Sequence, residues 1–124
     1  MSHDLKYPVA YLELQDFDSD GNLTVDKLKG IPVMIMIQAG WCGACTASKP
    51  EFQKFALMNV GAAATIQNDG DRESERKLAS IVSKIYPDKL VGFPSYMLIT
   101  ADGRRLAYNG PRDAQSLANF VKNA

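Results

Sequence analysis

Five consecutive apolar residues, Val33, Met34, Ile35, Met36 and Ile37, constrain this chain more than any other stretch of it. A strand that is apolar at every position has no face for solvent, so it must lie inside a sheet covered on both sides. The run stops at Gln38, Ala39 and Gly40 and leads at once into Trp41, Cys42, Gly43, Ala44 and Cys45. Beyond the second cysteine, Phe52, Phe55 and Ala56 share one face at helical spacing, and Pro50 is placed to bend that helix. A central strand is therefore expected to deliver two cysteines to the start of a helix.

The remaining segments build around that unit. Residues 9–14 read as a first strand, and residues 62–66 as a short apolar strand that ends in the polar loop 67–70. The stripe Leu78, Ile81, Val82, Ile85 and Tyr86 predicts a helix over 71–86, with Asp71, Glu73 and Glu75 favouring its positive end. Residues 96–100 and 106–108 read as two strands joined by the turn signal Asp102-Gly103. Leu117, Phe120 and Val121 mark a last helix with Asp113 as its cap. Strands alternating with helices, then a hairpin and a terminal helix, predict an α/β fold: a central mixed sheet flanked by helices on both faces. No repeat or linker divides the sequence, so a single domain over residues 1–124 is expected.

Cys42 and Cys45 are the only cysteines in the 124 residues, too few and too close for a framework of structural disulfides. A zinc site needs about four ligands, and the chain adds only one histidine, His3. At a helix start the first thiol meets unpaired backbone N–H groups and the positive end of the dipole, which stabilise the attacking thiolate. The second, one turn further in, is placed to attack a mixed disulfide and release the product. Cys42 is thus assigned as nucleophile and Cys45 as resolving thiol, with Trp41 shielding one side. Asp16, Asp18, Asp20 and Gly21 match the first half of a calcium loop, but Lys27 occupies the twelfth position, where a bidentate acid is required. This segment reads as an acidic turn.

These residues resemble the thioredoxin and protein disulfide isomerase family. Trp41 to Cys45 matches its redox motif, and Pro50 falls five residues after Cys45, like that family's kinking proline. Gly92-Phe93-Pro94-Ser95 resembles the family's Gly-x-Pro-Thr, and Tyr108, Gly110 and Arg112 resemble the tail of isomerase domains. The resemblance covers roughly residues 30–124. It implies a thioredoxin fold, catalytic Cys42 and Cys45, and a cis bond before Pro94 facing them. It also implies a substrate surface made of Trp41, Gly43, Ala44, Phe93 and Pro94, on which an extended substrate pairs with the Phe93 backbone. The expected activity is reduction or exchange of protein disulfides without a bound cofactor or metal. The expected partners are disulfide-bearing proteins and a reductase or small-thiol electron donor.

Lys and Arg together number 14, as do Asp and Glu, which gives no general attraction to nucleic acid or an anionic membrane. The opening residues lack the apolar stretch of a secretory signal, so a cytoplasmic, monomeric protein is expected. Three departures from the family qualify the activity. Met36 stands six residues before Cys42, where a buried Asp or Glu is usual, Thr46 stands where lysine is common, and Gly43-Ala44 separates the cysteines. The first implies slower deprotonation of Cys45; the absence of an intervening histidine implies a pair more reducing than an isomerase's. Two other readings compete: a disulfide isomerase or oxidase, and a binding module that docks partners at Trp41, Phe93 and Pro94 with redox chemistry secondary. Alkylation near neutral pH, read by peptide mass spectrometry, is expected to label Cys42 before Cys45; the reverse order would exchange their roles.

Overall fold

The computed structural model describes residues 5–124; His3 lies outside them. Five strands form one sheet: β1 (Ala10–Tyr11), β2 (Val33–Gln38), β3 (Ala62–Gln67), β4 (Ser95–Ile99) and β5 (Arg105–Tyr108). Their order across the sheet is β1-β3-β2-β4-β5. The first three are parallel, whereas β4 runs antiparallel to β2 and β5 antiparallel to β4. Three helices complete the fold: α1 (Gly43–Leu57), α2 (Glu73–Ile85) and α3 (Ala114–Asn123).

β2 has a neighbour on each edge and a helix layer on each face, and this accounts for its uninterrupted apolar run. Met34 and Met36 point to the side of α1 and α3, where they pack with Phe52, Phe55, Leu117 and Val121. Val33, Ile35 and Ile37 point to the other side and pack with Leu78, Val82 and Ile85 of α2. Asp113 caps α3 as expected, accepting the N–H of Ser116 at 3.0 Å. None of the helices among the described residues is long and apolar enough to cross a membrane.

The first strand is much shorter than the segment 9–14. Leu12 N still donates to Thr65 O at 2.9 Å, but the chain then turns into a short 3₁₀ helix at Leu14–Asp16. Asp16 Oδ2 closes that turn by accepting the N–H of Glu13 at 2.8 Å, so a local polar contact overrides the strand pattern. The acidic segment that follows is a turn. Asp18 Oδ1 accepts the N–H groups of Asp20 and Asn22, both at 2.9 Å. No group of three or more His, Cys, Asp or Glu side chains converges on a point among the described residues.

Phe52 anchors α1 to the sheet. It is fully buried, with its ring 5.9 Å from Phe55 and 6.1 Å from Tyr96. Phe52→Ala is expected to lower unfolding free energy by about 3–5 kcal/mol, measured by chemical denaturation. A loss below about 1 kcal/mol would show that α1 is held elsewhere.

Candidate active site

The path from β2 to α1 is short and closely held. Cys42 N donates to Ala39 O at 3.2 Å, and Asp69, from the loop after β3, accepts the N–H of Gly40 at 2.8 Å. A Cβ at Gly40 would lie 2.9 Å from Asp69 Oδ2, so the approach of that carboxylate requires glycine there. Burial opposes ionisation of Asp69, but the Gly40 N–H, the Gln67 amide and the charge of Lys49 together hold its carboxyl below the usual range. Sequence reading did not single out Asp69.

Cys42 is the N-cap of α1. Its Sγ accepts the N–H of Cys45 at 3.1 Å, so the sulfur does what a capping oxygen does at most helix starts. Its own thiol is directed to the carbonyl oxygen of Phe93 at 3.5 Å. Thr46 turns its hydroxyl back onto Cys42 O at 3.3 Å. Cys45 is fully buried, while Cys42 retains 8% exposure. Burial, together with the contact to the Cys42 sulfur, pushes the Cys45 thiol up to about 12. The two sulfurs therefore sit side by side in unequal surroundings.

The other expected site residues gather around Cys42. The Phe93–Pro94 peptide bond is cis. Trp41 is 69% exposed and packs edge-on against Phe93, ring centroids 5.7 Å apart. Gly43 and Ala44 are exposed and Pro94 is buried. Val91, 84% exposed, extends this apolar rim and was not foreseen. Tyr108 donates its hydroxyl to Pro111 O, and a Cβ at Gly110 would meet that hydroxyl at 2.7 Å. This packing explains the spacing of Tyr108 and Gly110. Beside Pro94, a cavity of about 210 Å³ is bordered by Gly92, Pro94, Tyr96, Tyr108, Gly110 and Arg112.

Met36 lies behind the pair, fully buried in the cluster that holds both cysteines. Its Cα partners are Thr65 on one side and Tyr96 on the other. Lys49, one turn after Cys45 on α1 and only 6% exposed, contributes a positive charge that favours ionisation of Cys45. Its spacing of four residues from Cys45 was visible in the sequence, its burial was not.

The thioredoxin family model matches residues 10–123. A chain named as thioredoxin-like, from Invertebrate iridescent virus 6, is 41% identical over 129 residues, covering 92% of each chain. Protein disulfide-isomerase 2-3 of Arabidopsis thaliana is 31% identical across 92% of this chain, which spans 23% of that longer relative. Among solved structures, the first thioredoxin domain of mouse protein disulfide-isomerase A4 superposes with a TM-score of 0.67, at 20% identity, over 97% of this chain and 77% of that one. ERdj5 matches with a TM-score of 0.71, at 19% identity, over 98% of this chain and 14% of its own length. The two structural likenesses bear on the fold alone.

A carboxylate introduced behind the pair would accept a proton near neutral pH, which methionine cannot do. Met36→Asp is expected to lower stability by ~1–3 kcal/mol, from burying a polar group, and to speed release of the mixed disulfide. Turnover in an insulin-reduction assay with a chemical donor reads the second effect; no gain would contradict a proton-transfer limit at Cys45.

Proposed function

The chain belongs to the thioredoxin family, and on that premise we propose that it is a protein-disulfide reductase acting through Cys42 and Cys45. The observation that carries this reading is the capping arrangement: Cys42 Sγ at the head of α1, within 3.1 Å of the Cys45 N–H, and Phe93 O at 3.5 Å. Cys42 attacks one sulfur of a substrate disulfide, forming a mixed disulfide and expelling the first thiolate. Cys45 then attacks Cys42 Sγ, forms the internal disulfide and expels the second. Two electrons pass from the pair to the substrate, and a reductase or small thiol restores the dithiol.

The exposed Trp41, Gly43 and Ala44, with Phe93 and Pro94 opposite, form the surface on which the substrate rests. Once the Cys42 thiol has lost its proton, Phe93 O is released to pair with an extended substrate backbone. The protein works as one thioredoxin-like domain, as a monomer and in a reducing compartment such as the cytoplasm, where a pair without an intervening histidine favours reduction over isomerisation. Insulin reduction tests the reading. Cys42→Ser is expected to abolish it, and Cys45→Ser to accumulate a long-lived mixed disulfide on Cys42. Activity surviving in Cys42→Ser would overturn the assignment.

A further inference from the structure

The cavity of about 210 Å³ beside Pro94 borders neither cysteine, so it is not where the disulfides exchange. Its walls come from one end of the β4–β5 pair, where residues 91–96 enter β4 and residues 108–112 leave β5. Arg112 carries the only charge along its border, which includes no aspartate or glutamate. Asn109 adds a side-chain amide from the same loop. Arg112 is exposed and forms no hydrogen bond or ion pair with a described residue. Asp113, next to it in the chain, is committed to capping α3, where it accepts the N–H of Ser116 at 3.0 Å and its hydroxyl at 2.7 Å. An unpaired cation on an open surface is only a solvated charge. Here it borders a recess.

The recess adjoins the exchange site through Phe93. That residue borders it, and the Phe93 carbonyl oxygen lies 3.5 Å from Cys42 Sγ. A substrate chain extended along the Phe93 backbone advances about 3.3 Å per residue and turns alternate side chains to opposite sides. With its reacting sulfur at Cys42, such a chain brings a side chain over the recess within about three residues of that cysteine.

Size and charge limit what that side chain can be. A cavity of about 210 Å³ is smaller than the roughly 300–1,000 Å³ of a small-molecule pocket, and it suits one side chain. A guanidinium presents a planar fork of donors that matches a carboxylate, and the Asn109 amide can supply a further donor. We propose that this recess selects substrate proteins with an aspartate or glutamate close to the reacting disulfide, and that Arg112 is the specificity-determining residue. This rests on the reading of Cys42 and Cys45 as the exchanging pair. The chain's balanced charge, 14 basic against 14 acidic residues, gives acidic substrates no general attraction. A preference for acid is therefore local, and it holds at particular positions along the substrate.

Peptide disulfides test the selection. Each peptide has one cysteine and carries Glu, Gln or Lys at a single position, scanned across three residues on either side of it. The reduced protein is mixed with each symmetric peptide disulfide, and its oxidation is followed by Trp41 fluorescence as a second-order rate. At one or two alternate positions the Glu peptide is expected to react about three- to tenfold faster than its Gln counterpart, with Lys slowest. At those positions the Glu-to-Gln ratio should fall to about one in Arg112→Gln, and Arg112→Glu should favour Lys. Because each ratio is taken within one variant, a general loss of activity or stability cancels from it. Equal rates for Glu and Gln at every position would overturn the selection, as would an equal preference at all positions or one that survives in Arg112→Gln. If no peptide disulfide oxidises the unmodified protein, the proposed function itself fails, and the selection with it.

Discussion

Six residues of β2 must give both faces to the interior and both edges to hydrogen bonds, and the placement of everything else follows from that demand. Val33, Met34, Ile35 and Met36 are fully buried and Ile37 nearly so. Covering one face calls for α1 and α3, and covering the other calls for α2. The hydrophobic gain from that burial, about 25 cal/mol per Å² of apolar surface, also fixes where the strand ends. It ends at Gln38, with Asp69 holding Gly40, and α1 begins at Gly43 with Cys42 as its cap. Cys42 is thereby placed just beyond the end of the sheet's central strand, at the head of α1.

The proposed exchange depends on the inequality of the two sulfurs. Cys42 keeps a little exposure and faces the Phe93 backbone, whereas Cys45 is sealed in the same apolar cluster as Met36, Phe52 and Tyr96. Desolvation holds the proton on Cys45, which in the proposed reaction keeps it from competing with Cys42 for substrate before the mixed disulfide forms. In that reaction the same desolvation opposes removal of the Cys45 proton. Met36 sharpens the difficulty because it packs well and accepts nothing. Lys49, one turn along α1, favours ionisation of Cys45 by its charge.

The sequence disclosed those parts that are set by local pattern. The run 33–37, the cysteines at the head of a helix, the stripe on α2, the turn at Asp102-Gly103 and the Asp113 cap each depend on residues near one another in the chain. What it concealed depends on register and on distant pairings. Residues 9–14 read as a strand, yet the contact of Asp16 with Glu13 turns the chain after β1. Asp69 reaches Gly40 from 29 residues away, which no local period encodes. Met36 and Tyr96 become neighbours only through the β2–β4 register, which no local pattern encodes. The burial of Lys49 was hidden for the same reason, since helical spacing shows a face but not what covers it.

The central claim is that Cys42 and Cys45 form a reversible, reducing dithiol–disulfide couple, and the direct measurement is its equilibrium with glutathione. Trp41, the sole tryptophan and 69% exposed beside Cys42, supplies the fluorescence signal. The account predicts a single two-electron transition with a midpoint more negative than about −180 mV, the value typical of an isomerase, and toward the roughly −270 mV of a thioredoxin. No disulfide at any glutathione ratio, or a midpoint well above the isomerase value, would contradict it.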